Sequence, residues 1–176
     1  MTGPPVLRPV TGDDRANLLS FFAAANWSSG GRYAPSVARG TESIATWFDR
    51  KILHRARVLV SPRGLIRHVG IRHDLAPALA WGLPAGPKWV EVARLAVHPN
   101  WQCRGQARRL MKHVHRELGE QWSWLTCHEN SPGHRLYLKL GWRPENLSIR
   151  WPGDPTPGVL LTRTPRSYRG SAATND

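Results

Sequence analysis

Apolar residues recur along this chain with two different periods, and together they predict a mixture of strands and helices. Alternating or continuous apolar runs predict strands, whereas a spacing near 3.6 residues predicts helices with one apolar face. In the first half of the chain the pattern predicts a strand at Val6–Val10, a helix capped by Thr11–Asp14 that carries Leu18, Leu19 and Phe22, and a helix after Thr41 that carries Ile44, Trp47, Phe48 and Ile52. It then predicts a hairpin of Arg57–Ser61 and Leu65–His73, followed by a buried strand at Trp89–Val97. In the second half it predicts a helix at Gly105–Leu118, a strand at Trp122–His128, a helix at Pro132–Leu140, and a closing strand pair at Trp142–Trp151 and Val159–Arg163.

One long apolar segment fits neither period. Asp74–Lys88 carries three prolines and two glycines among Leu75, Leu79, Trp81 and Leu83, so no helix or central strand can run through it. An apolar loop must be covered by a lid over a bound acceptor, by a contact between two copies in a homodimer, or by the chain's own core. We favour the last of these three, and the other two stay open.

The size and composition of the chain fit one soluble domain. Its 176 residues, 40% of them hydrophobic, are enough for one core at 1–165, followed by a polar tail at 166–176 that we expect to be disordered. The two cysteines match no metal-ligand spacing, so we expect no metal site and a reducing compartment. No run of eighteen apolar residues and no signal-like N-terminus occurs, which predicts a cytoplasmic protein without membrane contact.

Positive charge is the strongest bias in the composition. There are 25 Lys and Arg residues against 12 Asp and Glu residues, a formal net charge of +13. Such a surface attracts polyanions, phosphate esters and acidic proteins, and it disfavours a polycationic acceptor such as an aminoglycoside. A solvated basic surface without a ligand is the alternative, and charge alone does not decide between the two.

The most informative segment follows the buried strand. After His98–Pro99 the chain runs through Gln102-Cys-Arg-Gly105-Gln-Ala107 directly into an amphipathic helix. The first N–H groups of a helix lack partners within it, and together with the helix dipole they favour an anion. Small side chains at Gly105 and Ala107 leave space for a phosphate to approach. Because glycine and alanine are common at helix starts, this candidate diphosphate site needs a second signal.

The second signal lies in the next strand–helix unit, in the run Asn130…Leu136-Tyr137-Leu-Lys139-Leu-Gly141-Trp142. Asn130 and Tyr137 lie about two helical turns apart, so their side chains can project along the same side of that helix. A carbonyl ligand and a phenol would then face one cleft. Taken alone, Tyr137 equally fits a core tyrosine whose hydroxyl bonds the backbone.

Together the two motifs resemble the GNAT N-acetyltransferase superfamily in order, spacing and residue type. That family carries Arg/Gln-x-x-Gly-x-Gly/Ala after its central strand and an Asn…Leu-Tyr-x-Lys-x-Gly-Phe/Trp run downstream, and the resemblance is close from Trp89 to Trp142. It implies an α/β (α+β) fold with a mixed, mostly antiparallel sheet of six to seven strands flanked by about four helices. It also implies transfer of an acetyl group from acetyl-CoA to a primary amine by direct attack.

The same resemblance implies roles for individual residues. Tyr137 is implied as the general acid that protonates the leaving thiolate, and Asn130 as a contact of the cofactor's arm. The other implied cofactor-binding residues are the backbone of Ala96 and Val97, for the pantetheine arm, and the pyrophosphate-holding turn residues Gln102, Arg104, Gly105, Gln106, Ala107 and Arg108.

Glu91 is our candidate for the base that deprotonates the amine. It interrupts a buried strand where several family members place a glutamate base, and burial disfavours the charged form of a carboxylate, which suits base chemistry. Two alternatives stay open: Glu91 forms a structural ion pair with an arginine, or His98 or His128 serves through water. Cys103 and Cys127 are disfavoured as acyl-carrying nucleophiles, because neither has a clear histidine partner in the sequence.

These motifs leave the amine acceptor unspecified. An acidic or phosphate-bearing acceptor suits the charge, so aminoacyl-tRNA, amino-modified nucleic acid or the amine of an acidic protein is expected, with a small amine as a further option. The alternative function is a non-catalytic GNAT-fold module that binds nucleic acid or an acidic protein through a basic surface including Arg108, Arg109, Lys112 and Arg116. The joint presence of Asn130 and Tyr137 favours the enzyme.

Overall fold

Seven strands and three α-helices form within the part of the chain that the computed structural model describes, which is residues 4–29, 43, 55–62, 64–72, 82–83, 87–151 and 154–165. The strands are β1 (Val6–Pro9), β2 (Arg55–Ser61), β3 (Gly64–Arg72), β4 (Val90–Val97), β5 (Ser123–His128), β6 (Arg143–Ile149) and β7 (Gly158–Arg163), and the helices are α1 (Arg15–Ser28), α2 (Gln106–Leu118) and α3 (Pro132–Lys139). The predicted helix after Thr41, the predicted tail at 166–176 and most of Asp74–Lys88 lie outside the described residues.

The strands form one sheet in the order β1-β2-β3-β4-β5-β7-β6. Neighbours β1–β2, β2–β3, β5–β7 and β7–β6 are antiparallel, whereas β4 and β5 run parallel, with Val90 opposite Ser123 and Glu91 opposite Trp124. A parallel pair requires a crossover connection, and α2 provides it. The predicted mixed, mostly antiparallel sheet with flanking helices is therefore confirmed.

The contacts divide the chain into two compact units, and β4 passes from one to the other. The first unit comprises residues 1–71 and 94–110, and the second comprises residues 72–93 and 111–176. Arg94, where β4 enters the first unit, has a φ of 54°, a left-handed conformation that is uncommon for residues other than glycine.

The core of the first unit is built on one face of α1. Its buried residues are Leu18, Phe21, Phe22, Ala25, Val58, Leu65 and Ala96. The four helical members follow the spacing of an amphipathic helix, and Leu18 and Phe22 belong to the predicted stripe, whereas Leu19 is only half-buried. The buried Asp14 precedes this helix, and its carboxylate accepts hydrogen bonds from the Arg8 guanidinium and from the Thr11 amide.

The second unit has a core rich in tryptophan. Its buried residues are Leu83, Trp89, Trp124, Ile149 and Leu160, with Trp122 and Trp151 packed against them. Leu83 comes from the apolar segment Asp74–Lys88, so at this residue the segment packs on the core of the chain, as favoured above. None of the described helices is long and apolar enough to cross a membrane.

His68 is a buried histidine in β3 that the fold keeps neutral. Its Nδ1 lies 3.1 Å from the carbonyl oxygen of Arg94 and donates to it, and its Nε2 is sealed from solvent without a partner in the described part of the chain. Its ring packs edge to face against Phe22. Burial lowers the pKa of His68 to about 4.

We expect the free energy of unfolding to decrease as pH falls from about 6.5 to about 4. In that interval the unfolded chain binds a proton at position 68 that the folded chain excludes, and the full difference amounts to on the order of 3 kcal/mol. His115, whose pKa burial also lowers to about 4, acts in the same direction. His68→Phe should therefore remove part of the difference between urea unfolding at about pH 7 and about pH 5. An unchanged pH dependence would contradict the neutral state of His68.

Candidate functional site

The residues predicted for the site fall into two groups, one in each unit. The first unit contains Ala96, Val97, Gln102, Arg104, Gly105, Gln106, Ala107 and Arg108, and the second contains Glu91, Asn130 and Tyr137. Each group has its own local geometry.

The segment between β4 and α2 is a turn that two left-handed residues shape. Cys103 has a φ of 57° and Gly105 a φ of 71°. A Cβ added at Gly105 would meet no atom within 4 Å, so the backbone angle rather than crowding within the chain calls for glycine there. Open space consequently lies next to Gly105, at the point where α2 begins.

The amides that follow have no hydrogen-bond acceptor among the described residues. The first bond into the helix runs from the Arg109 N–H to the Gly105 carbonyl at 3.0 Å. Within the described part of the chain, the N–H groups of Gly105, Gln106, Ala107 and Arg108 donate to nothing. Four unpaired donors at the positive end of a helix dipole are suited to bind a phosphate group.

Gln102 holds this turn in place. Its Nε2 donates to the Val97 carbonyl at 3.1 Å and to the Ser28 hydroxyl at 3.3 Å, and its own N–H donates to the Pro99 carbonyl. The family resemblance implies Gln102 as a cofactor contact, and in the structure its side-chain amide bonds to Ser28 of α1 and to Val97 of β4. Arg104, next in the turn, is exposed and lies over the Trp101 ring.

A buried arginine supports the start of α2. Arg67 of β3 is only 7% exposed, and its Nη1 donates to the Gln106 carbonyl at 2.8 Å and to the Gln106 side chain at 3.2 Å. Burial and the nearby charge of Arg109 lower the pKa of Arg67. No carboxylate of the described residues pairs with Arg67. No pattern in the sequence indicates this residue, because an arginine in a strand does not show which helix it will contact.

Ala96 and Val97 end β4 beside this turn. Ala96 is buried in the core of the first unit, and the Val97 carbonyl already accepts the bond from Gln102. The pantetheine contact implied for these residues involves the backbone alone, so the burial of Ala96 is compatible with it.

In the second unit, Tyr137 of α3 combines a buried ring with an unpaired hydroxyl. The residue is 8% exposed, and its ring packs against Trp142 with centroids 6.2 Å apart. The hydroxyl bonds to no residue in the described part of the chain, yet it is not among the polar atoms sealed from solvent. Burial, together with nearby Cys127, raises the pKa of Tyr137 above its ordinary value. The phenol is therefore protonated at neutral pH, as a general acid must be.

Asn130 lies in the turn that leads into α3. It has a left-handed φ of 59°, its N–H donates to Nδ1 of His134 at 3.0 Å, and its carbonyl accepts from Arg135 at 2.7 Å. These backbone bonds fix the turn, while the exposed side-chain amide makes no hydrogen bond within the described residues. The side chain is thus available for the contact that the family resemblance implies.

Glu91 is buried and ion-paired. Its Oε2 lies 3.0 Å from Nη1 of Arg72, although the angle does not satisfy hydrogen-bond geometry, and both side chains are largely shielded from solvent. This is the structural alternative that the sequence left open. It does not by itself show which group serves as the base.

We expect Glu91→Gln to lower the free energy of unfolding by about 1–3 kcal/mol, because the variant removes the carboxylate charge from a buried ion pair with Arg72. Urea unfolding at neutral pH measures the effect. Glu129→Gln, at an exposed residue of the same unit, is the matched control and should change stability by less than about 0.5 kcal/mol. A Glu91→Gln protein of unchanged stability would contradict the structural role.

The remaining candidates from the sequence differ in their surroundings. Nδ1 of His98 accepts a hydrogen bond from the Asn100 amide, whereas Nε2 of His128 lies 2.8 Å from Oδ2 of Asp154. Burial raises the pKa of Cys127 to about 12, so its thiol is protonated and a poor nucleophile. Cys103 is exposed in the turn before α2.

A known family model matches part of the chain. Residues 63–144 match the family model described as acetyltransferase (GNAT) domain. This range includes the turn before α2, Glu91, Asn130 and Tyr137, so the resemblance seen in the two motifs is confirmed. A search of curated proteins finds no match.

Solved structures share the fold over almost the whole chain. A structure described as histone acetyltransferase HPA2 and related acetyltransferase, from Corynebacterium glutamicum, has a TM-score of 0.65 and 20% identity over 94% of this chain and 97% of its own. The ribosomal-protein-S18-alanine N-acetyltransferase of Escherichia coli has a TM-score of 0.63 and 16% identity over 92% and 94%. The PaiA N-acetyltransferase of Thermoplasma acidophilum, solved with coenzyme A, has a TM-score of 0.62 and 17% identity over 92% and 99%. At these identities the likeness concerns the fold.

Proposed function

We propose that this chain, which carries a GNAT acetyltransferase domain, is an acetyl-CoA-dependent N-acetyltransferase that acts on a primary amine. The observation that carries the proposal is the set of four amides from Gly105 to Arg108, at the start of α2, that have no acceptor among the residues the structure describes. The family match over residues 63–144 and the coenzyme A bound to the Thermoplasma acidophilum neighbour support the same donor.

The residues of the turn fit a diphosphate. The amides supply donors, Gly105 leaves open space beside them, and Arg67 and Arg109 place positive charge nearby. An anion at this point would relieve the unfavourable proximity of the two guanidinium groups, which adds to its affinity. Acetyl-CoA supplies, when bound, an acetyl group activated as a thioester.

Tyr137 is the proposed general acid. Its hydroxyl is protonated and lacks a partner among the described residues, so it can donate its proton to a departing thiolate. Asn130 is proposed to contact the cofactor's arm through its unengaged side chain. For Glu91 the contact with Arg72 favours the structural role.

The acceptor is proposed to be acidic or linked to a nucleic acid. The net charge of +13 attracts such molecules, and Arg108, Arg109, Lys112 and Arg116 are exposed along α2. The Escherichia coli neighbour is named for its action on a protein alanine, but that likeness extends only to the fold. Aminoacyl-tRNA, modified nucleic acid and the amines of acidic proteins are the acceptors to test first.

The same exposed cations support the alternative, a non-catalytic module that binds nucleic acid. Thermal unfolding with each ligand separates the two functions. Acetyl-CoA at about a hundred times its Kd should stabilise an enzyme by about 2.7 kcal/mol, a rise in Tm of roughly 5–10 °C. Stabilisation by tRNA or DNA with no response to acetyl-CoA would favour the module and overturn the enzyme.

Cys103 offers a way to locate the binding site. It is exposed in the turn, whereas burial and a pKa of about 12 protect Cys127, so iodoacetamide should label Cys103 alone. We expect acetyl-CoA to slow this labelling at least tenfold at saturation. Stabilisation by acetyl-CoA with unchanged labelling of Cys103 would show binding away from this turn.

A further inference from the structure

His128, one of the alternative bases that the sequence left open, forms a hydrogen-bonded pair with Asp154 in the second unit. His128 is the last residue of β5, and Asp154 lies in the connection between β6 and β7. Nε2 of His128 and Oδ2 of Asp154 are 2.8 Å apart, and the two side chains are 14% and 7% exposed. The pair is therefore largely shielded from solvent, which strengthens the interaction between its members.

Hydrogen bonds within the connection between β6 and β7 fix the position of Asp154. The Thr156 amide donates to the second carboxylate oxygen, Oδ1, at 2.9 Å, and the Asp154 amide donates to the Trp151 carbonyl at 3.0 Å. The His128 ring packs edge to face on Trp151, with centroids 4.8 Å apart. A side chain at Gly158 would collide with the Trp151 ring, so glycine is required for this packing.

These contacts select one tautomer of the imidazole. Burial alone would raise the pKa of Asp154, but the hydrogen bonds from the Thr156 amide and from His128 outweigh it and lower the pKa below its ordinary value. An ionised Asp154 only accepts hydrogen bonds, so Nε2 of His128 must carry the proton. The lone pair then resides on Nδ1, which makes no hydrogen bond within the described residues and is not among the sealed polar atoms.

We propose that Nδ1 of His128 is the general base that takes the proton from the amine acceptor, with Asp154 as the residue that positions it. The proposal rests on the N-acetyltransferase function proposed above. An N–H bond of the ammonium group breaks and an Nδ1–H bond forms, directly or through one water, and the imidazolium later releases this proton to solvent. Asp154 stays ionised throughout and stabilises the imidazolium, so the step needs no further reactant.

The surroundings distinguish this pair from Glu91 as a base. The carboxylate of Glu91 lies 3.0 Å from the Arg72 guanidinium and is already engaged in this buried ion pair. Nε2 of His128 instead faces the Asp154 carboxylate, which accepts its hydrogen bond and leaves Nδ1 without a proton, and Asp154 is the one ionisable partner that the described residues place on it. The structure thus leaves a lone pair on Nδ1 of His128, whereas the carboxylate of Glu91 is engaged by Arg72.

The tautomer is tested without any acceptor. In long-range ¹H–¹⁵N spectra at about pH 8, His128 should show a protonated Nε2 and an unprotonated Nδ1, and Asp154→Asn should remove this preference. A His128 ring with its proton on Nδ1 would overturn the proposal.

The catalytic role is tested by measuring kcat/KM of His128→Gln as a function of pH with labelled acetyl-CoA. The acceptor is the best substrate among acidic peptides with a free amine, aminoacyl-tRNA and small primary amines. We expect kcat/KM to fall at least a hundredfold near pH 7, and the deficit to shrink to below about tenfold as pH approaches the pKa of the amine, because a neutral amine needs no base. Asp154→Asn should show a smaller deficit with the same pH trend. His113→Gln, at a histidine of α2, is the control and should behave as wild type.

The outcomes separate this inference from the proposed function. In the first case, wild-type protein binds acetyl-CoA and acetylates an acceptor, and the thermal transition of His128→Gln shows that the variant is folded. If this variant then keeps the wild-type rate, or loses the same factor at every pH, the base is another group and the acetyltransferase function stands. If the wild type neither binds acetyl-CoA nor acetylates any of these acceptors, the proposed function fails, and the inference fails with it.

Discussion

Replacing Gly105 with valine is expected to lower the affinity for acetyl-CoA at least a hundredfold. A φ of 71° is unfavourable for a β-branched residue, and the new side chain would project into the open space beside the unpaired amides. Hydrogen bonds to charged groups contribute about 1.5–3 kcal/mol each, so the loss of two corresponds to a factor of roughly 10² to 10⁴ in Kd. Isothermal titration calorimetry with acetyl-CoA measures the change.

Gly119 provides the matched control for this substitution. It follows the last residue of α2, has a left-handed φ of 54°, and likewise has no atom within 4 Å of an added Cβ. Gly119→Val should therefore introduce similar backbone strain while leaving the affinity for acetyl-CoA within about threefold of wild type. Equal losses of affinity in the two variants would mean that strain, rather than access to the amides, explains the effect of Gly105→Val.

Tyr137→Phe is expected to lower turnover by a factor of about 10² to 10⁴, the range typical for removal of a general acid. The substitution keeps the ring that packs on Trp142 and removes a hydroxyl without a partner in the described chain. Stability and the Kd of acetyl-CoA should consequently change little, the former by less than about 0.5 kcal/mol. For this variant, steady-state kinetics measures turnover, calorimetry measures the Kd of acetyl-CoA, and urea unfolding measures stability.

The pH profile adds a second test of Tyr137. Because its pKa is raised above the ordinary value, the loss of activity that follows ionisation of the phenol should lie above pH 10, outside the working range of the enzyme. Wild-type turnover of the Tyr137→Phe enzyme would show that another group or water, and not Tyr137, is the general acid. A large loss of stability in this variant would instead indicate a structural hydroxyl.

The local parts of the site could be predicted from the sequence. The turn before α2 and the boundaries of α3 depend on near neighbours along the chain, and small residues at Gly105 and Ala107 indicate space for a ligand whatever the rest of the fold. The buried stripe of α2 likewise follows from the helical period, with Leu110, Met111 and Val114 fully buried.

The contacts that give the side chains their chemistry could not be predicted. Arg67 and Gln106 are 39 residues apart, and His128 and Asp154 are 26 apart, so their pairing depends on the strand order of the sheet rather than on any local pattern. Glu91 illustrates the same limit: its buried position was predicted, but that Arg72 would be its partner was not. Spacing also could not show that the Tyr137 hydroxyl is unpaired.

Amide NMR tests the central claim most directly, that the unpaired N–H groups from Gly105 to Arg108 hold the diphosphate of acetyl-CoA. In a titration of ¹⁵N-labelled protein with acetyl-CoA, these four amide protons should shift downfield together and become protected from exchange with solvent, as expected for N–H groups that donate to phosphate oxygens. Saturable binding of acetyl-CoA that leaves these four resonances and their exchange rates unchanged would contradict the account.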